Sequence, residues 1–231
     1  RILHIADVHI KSSIDYHEYV KTSLNDIVKI AKDRNPDRIV IVGDLFHDYT
    51  NISNEAMKIA HDFILQLSLV SPVIITCGNH DINLTSINRM DSIKVLHHMM
   101  KDSTDQVSYY GESKVYYDEN IAWVVYHHPD KNIDLEFSNN GDFIHVGLFH
   151  DPVKEALTFG TNDHFFDNDS YNSIWDFKAI DYLLMGDIHK KQIFTHDDGK
   201  TPFAAYSSSP ICQNYSESDG FHGVLLWDLS N

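Results

Sequence analysis

The first three short apolar runs of this chain each stop at a polar cluster rich in imidazole and carboxylate. Ile2–Ala6 ends at Asp7-Val8-His9, Arg38–Val42 ends at Gly43-Asp44, and Val73–Thr76 leads into Gly78-Asn79-His80-Asp81. Between them lie two segments with helical spacing of apolar residues. His17–Lys32 carries Val20, Leu24, Ile27, Val28 and Ala31 on one face, and Asn54–Leu69 repeats the pattern with Ser53 as its expected N-cap. Asn35-Pro36-Asp37 breaks the first helix before the β-branched second run. Short apolar strands alternating with amphipathic helices predict an α/β fold with a parallel sheet and right-handed crossovers.

The second half is richer in strands, expected at Ser113–Tyr117, Ile121–Tyr126, Phe143–Phe149, Tyr182–Met185, Gln192–Thr195, Phe203–Tyr206 and Gly223–Trp227. Residues 132–142 and 160–173 read as polar loops, and no internal repeat or domain boundary stands out. Two of these strands also end in donor residues, at His150 and at Gly186-Asp187-Ile188-His189. Asp, Asn and Gly favour turns, so any single cluster is most simply a capped strand end. Five at successive strand ends make coincidence a poor explanation. Open α/β sheets bind ligands outside the carboxyl ends of their strands, which brings the five loops to one side of the molecule. Imidazoles and carboxylates together suit a pair of hard-to-borderline cations.

Composition excludes several other classes. The 231 residues allow one sizeable domain, taken here as 1–231. Two cysteines, Cys77 and Cys212, are too few for a disulfide framework, so an intracellular, reducing location is expected. No apolar run reaches the roughly 20 residues of a membrane span. The opening Arg1-Ile2-Leu3-His4-Ile5 has no signal-peptide layout and no initiator Met, consistent with a trimmed chain. With 18 basic and 34 acidic residues the net charge is −16, which argues against broad, non-specific nucleic-acid binding.

Taken in order, Asp-x-His, Gly-Asp, Gly-Asn-His-Asp, a lone His and Gly-x-x-His resemble the calcineurin-like metallophosphoesterases over nearly the whole chain. The resemblance implies an α/β sandwich and two divalent cations, Mn²⁺ first and Mg²⁺ or Fe²⁺ next. One cation falls to Asp7, His9, Asp44 and His189, and the other to Asp44, Asn79, His150 and Asp187, with Asp44 bridging. It implies that His80 faces the leaving group, and Asp81 is expected to support its neighbours from the second layer, as metal sites commonly need. Gly43-Asp44-Leu45-Phe46-His47 lacks the arginine that follows Gly-Asp in the family's protein phosphatases. It is similar instead to the DNA double-strand-break repair nucleases of the SbcD and meiotic-recombination type, viral recombination endonucleases included. Leu184–Lys190 and Tyr206-Ser207-Ser208-Ser209-Pro210 are similar to that group too.

On this likeness His47 matches a second active-site histidine that positions the scissile phosphodiester, and DNA is the expected substrate. A coiled-coil ATPase partner and a homodimer through residues 54–69 and 90–100 are further implications. The capping and ATPase-docking segments of those nucleases are expected to lie outside residues 1–231. One departure stands at Asp187, where the repair nucleases usually carry His. A carboxylate there still ligates a divalent ion and biases the site away from Zn²⁺. His4, His97, His98, His127, His128 and His164 match no ligand position and are read as structural or solvent-facing. The rival reading is a phosphodiesterase for nucleotides or other small esters.

Overall fold

The structure, a computed structural model, describes residues 1–86, 88–127, 141–159, 171–177, 179–218 and 220–229. His128, His164 and most of the two expected polar loops lie outside the described residues.

The first half builds β1 (Ile2–Ile5), α1 (Ile14–Arg34), β2 (Arg38–Val42), α2 (Asn54–Ser68), β3 (Val73–Thr76), α3 (Ser92–Met100) and β4 (Val107–Tyr109). β1 to β4 are parallel neighbours in one sheet. The last strand, β11 (Leu225–Trp227), returns to pair antiparallel with β1. The second sheet holds β5 (Lys114–Asp118), β6 (Ile121–Tyr126), β7 (Ile144–His150), β8 (Tyr182–Gly186), β9 (Gln192–Thr195) and β10 (Pro202–Tyr206) in the order β5-β6-β7-β8-β10-β9. Two mixed sheets flanked by few helices match the fold the sequence implies.

Local chemistry sets the helix ends. The Ser53 hydroxyl accepts from the Ala56 N–H at 3.1 Å, as expected of the N-cap of α2. α1 starts three residues earlier than its apolar spacing indicates and ends at Asn35, whose left-handed φ of 43° suits an asparagine C-cap. Strand β4 has no counterpart among the sequence expectations. It is three residues long with a serine in the middle, and only its pairing with β3 defines it.

Ile2, Val40, Val42 and Ile74 of the first sheet meet Trp123, Val125, Val146, Leu148 and Leu184 of the second in a buried inter-sheet layer. The helices cover the other face of the first sheet through Val20, Leu24, Phe63 and Leu96. Strands buried on both faces explain why these runs read as unbroken apolar stretches. No helix among the described residues is long and apolar enough to cross a membrane.

Candidate metal centre

The carboxyl ends of β1, β2, β3, β7 and β8 meet at one place, and the two sheets are tied together there. His150, the last residue of β7, directs Nδ1 to the Val42 carbonyl at the end of β2, 2.8 Å away. The loops after β1 and β2 run on side by side, with backbone bonds from Asp7 N to Gly43 O, His9 N to Asp44 O and Ile10 N to Leu45 O. Among the described residues seven non-glycine residues have positive φ, and four of them are Asp7 (55°), His9 (52°), Asp44 (53°) and Asp187 (85°). Such conformations cost on the order of 1–3 kcal/mol each and persist where the surroundings impose them.

Three glycines make the slot that receives His150. A Cβ on Gly43 would lie 2.2 Å from His150 Nδ1, and one on Gly186 would lie 2.5 Å from the same atom. On Gly78 it would lie 2.1 Å from Asp44 Oδ1 and 2.5 Å from His150 Nε2. The glycines of three sequence clusters therefore serve one imidazole, which no side chain in their place would admit.

Within this pocket electron-pair donors face one another. His9 Nε2 lies 2.9 Å from His189 Nε2 and 3.5 Å from Asp44 Oδ2. His150 Nε2 lies 3.3 Å from Asp44 Oδ2, 3.9 Å from Asp7 Oδ1 and 4.0 Å from Asp187 Oδ1. The Asn79 side-chain amide nitrogen lies 3.2 and 3.3 Å from the Asp44 carboxylate oxygens and 3.3 Å from His150 Nε2, within reach of all three acceptors. Asp7 Oδ2 is buried with no hydrogen-bond partner. Three overlapping donor sets emerge here, Asp7, His9 and His189, then Asp7, Asp44 and His150, and, toward the outside, His9, His47 and His80. Buried carboxylate and imidazole lone pairs turned on a common point fit divalent cations, and the family supplies the expectation that they bind.

Charges respond to this crowding. Burial pushes the Asp7 carboxyl up, and burial with the neighbouring Asp7 and Asp44 charges raises Asp187 to about 6. Burial would also raise Asp44, but the surrounding His150, His9 and His80 imidazoles outweigh it and hold that carboxyl low. Burial keeps His9 neutral well below the usual imidazole range. For His150 burial favours the neutral ring, yet Asp44, Asp7 and Asp187 together raise it well above that range. In the cation-free protein the His150 proton takes over part of the charge balance that a metal would provide.

His47 and His80 form the outer wall. Their rings stack at 5.6 Å between centroids, and His80 Nδ1 donates to the His47 carbonyl at 2.5 Å. The His80 N–H in turn donates to Asp44 Oδ1 at 2.9 Å. Asp81 is fully buried and accepts from the Gly78, Phe46 and Leu45 N–H groups, binding the third loop to the second. Burial and the nearby Asp44 charge lift its carboxyl to about 7.

Sequence reasoning missed Glu217. Its buried carboxylate accepts from His189 Nδ1 at 2.9 Å, from the Asn214 amide at 2.8 Å and from the Gln213 N–H at 2.8 Å. Nothing short of the tertiary structure links it to a histidine 28 residues earlier. The serine run was noted only for its likeness. Tyr206 donates its hydroxyl to the Asp151 carbonyl and accepts from the Val153 N–H, fixing the loop after β7, while Ser209 donates to the Asp7 carbonyl at 2.7 Å. Cys212, Glu217 and His222 also converge, but both His222 ring nitrogens face carbonyls and the Cys212 thiol faces Asn214 O. That group has no free set of donors. His4 and His97 take structural positions as expected, His4 beside Trp227 Nε1 and His97 beside the Val107 carbonyl.

Comparison with known proteins agrees with this geometry. An uncharacterized protein of Acanthamoeba polyphaga mimivirus is 30% identical over 251 aligned positions, covering 99% of this chain and 17% of that protein. The DNA double-strand break repair protein Mre11 of Sulfurisphaera tokodaii is 25% identical over 254 positions, covering 100% of this chain and 60% of that protein. The chain spans less than two thirds of either relative. Calcineurin-like phosphoesterase is the family that matches residues 1–191. Since that match runs through all five strand-end loops, the chain belongs to the calcineurin-like phosphoesterase family.

Proposed function

We propose that this protein hydrolyses phosphodiester bonds of DNA at a centre of two divalent cations shared by the donor sets that meet at Asp7 and Asp44. The observation that carries the reading is the pairing of those sets with an outer His47–His80 wall. Similarity to a protein named for DNA double-strand break repair supports DNA as the substrate.

Asp7, His9, Asp44 and His189 would hold one cation, and Asp44, Asn79, His150 and Asp187 would hold the other; Mn²⁺ suits this oxygen-and-imidazole set, with Mg²⁺ or Fe²⁺ as substitutes. When bound, the cations supply Lewis acidity to the phosphoryl oxygens and lower the pKa of the attacking water. The protein's own contribution to the chemistry lies at His80. Its Nδ1 is committed to the His47 carbonyl, so the ring exchanges its proton at Nε2. That nitrogen delivers the proton to the departing sugar oxygen. His47 stacks on His80 and orients the scissile phosphate. Asp81 keeps the loops carrying Asp44 and His80 in register.

A second reading, hydrolysis of nucleotides or other small phosphodiesters, is favoured by the net charge of −16. Incubating end-labelled single- and double-stranded DNA with Mn²⁺, Mg²⁺ or EDTA, beside the His80→Ala variant and bis-p-nitrophenyl phosphate, separates the two. Metal-dependent DNA cleavage lost in the variant supports the nuclease. Turnover of the small ester with intact DNA sinks it in favour of the second reading.

A further inference from the structure

Tyr215 has a side chain almost wholly in solvent, at 97% exposure, more than any other large apolar or aromatic residue among those described. Single exposed aromatics are common and by themselves mean little. This one differs in its mounting. It opens a short 3-10 turn, Tyr215–Glu217, whose cap Asn214 accepts from the Ser216 N–H and donates to Glu217. Glu217 in turn takes the Nδ1 hydrogen of His189. The ring is therefore presented by a turn braced against a predicted metal ligand, two residues from the brace itself.

A cationic side chain reaches the segment that leads into this turn. Lys11 follows His9 by two residues, and its ammonium reaches the Gln213 carbonyl at 3.5 Å, at the start of the same turn. Lys190 and Lys191 follow His189 directly. The other exposed rings here already carry an ammonium: Lys11 lies over Tyr16 at 4.8 Å and Lys191 over Phe221 at 4.5 Å. Tyr215 keeps both faces open. In a chain of net charge −16, all three lysines stand within two residues in sequence of a predicted metal ligand, His9 or His189.

We propose that Tyr215 is a stacking platform for an unpaired base of single-stranded DNA, with Lys11 contacting a neighbouring phosphate. The inference rests on the nuclease reading and adds the strand-binding surface to it. An unpaired strand suits the site because a base stacks only when its face is free, and aromatic-plus-lysine grooves bind strands with little sequence preference.

The test is the Kd of a fluorescein-labelled oligodeoxythymidylate, read by anisotropy in Ca²⁺, for wild type, Y215A, Y215F and K11A. Stacking on an aromatic ring predicts that Y215A weakens binding about 10-fold or more while Y215F binds like wild type. K11A should lower the slope of log K against log salt by about 0.7, one phosphate contact. Thermal melting and Mn²⁺ titration of Y215A expose a folding defect, if there is one. Equal affinities for Y215A and wild type overturn the platform, as does a loss in Y215F as large as in Y215A, or a wild type that does not bind the strand. Strand binding by a wild type that cleaves no DNA sinks the nuclease reading and spares the platform. Cleavage with unaltered Y215A affinity does the reverse.

Discussion

The 2.8 Å bond from His150 Nδ1 to the Val42 carbonyl joins the last residue of β7 to the last residue of β2, and so one sheet to the other. In the neutral ring this bond places the hydrogen on Nδ1 and the lone pair on Nε2, 3.3 Å from Asp44 Oδ2. A hydrogen bond on the remote nitrogen is how proteins commonly aim a metal-binding histidine. The donor cluster thus lies at the seam of the sandwich, and its geometry depends on how the two sheets pack.

Gly78→Ala tests that seam. The new methyl would overlap Asp44 Oδ1 and His150 Nε2. Overpacking of this kind costs about 1–3 kcal/mol, so thermal melting should show a lower Tm. Mn²⁺ titration by calorimetry should show both cations weakened. Wild-type affinity for two Mn²⁺ in this variant would falsify the shared slot.

His80→Ala separates proton delivery from metal binding. Residue 80 hydrogen-bonds to Asp44 through its backbone N–H, which alanine keeps. Metal content by mass spectrometry should match wild type, while turnover of bis-p-nitrophenyl phosphate falls roughly 10²–10⁴-fold, as for a lost general acid. Loss of metal along with activity would make His80 a ligand instead.

Glu217→Gln removes the charge that braces His189 and leaves the shape. The His189 hydrogen bond holds the Glu217 carboxyl low against the opposing effect of burial. Losing such an outer-shell partner typically lowers metal affinity 10–100-fold. Mn²⁺ titration should show that drop at one site only, the one including His189. Equal weakening of both cations, or of neither, argues against the role given to Glu217.

Metal binding should strengthen as pH rises. The carboxylates around His150 and the Glu217 bond on His189 outweigh burial and raise both imidazoles, so in the cation-free protein these rings stay protonated past their ordinary value. Asp187, at about 6, also holds a proton longer than usual. Raised groups stabilise the cation-free fold at low pH, below the unfolded values, and that stability is lost as pH rises through the folded ones. A cation must displace the same protons. The rise in Tm on adding Mn²⁺ should therefore grow from pH 6 to pH 8, with proton release visible by calorimetry in two buffers of different ionisation enthalpy. A rise in Tm that is flat across this range contradicts the assigned protonation.

Much of this was legible in the sequence, because strand period and turn chemistry are local. The runs 2–6, 38–42 and 73–76 are apolar and β-branched whatever surrounds them, and the polar clusters end them at fixed positions. Their order gave the βαβαβ opening, and their residue types gave the expectation of a cation-binding centre. What the sequence could not supply depends on distance in space. Strand β4 exists because β3 offers an edge, and three residues with a central serine carry no period of their own. The three glycines share one purpose only once the sheets bring His150 between them. Glu217 is an ordinary turn carboxylate until the fold sets it 2.9 Å from His189, where a buried charge must find a partner. Local pattern determined which residues could do chemistry, and the packing of one sheet on the other decided which of them meet.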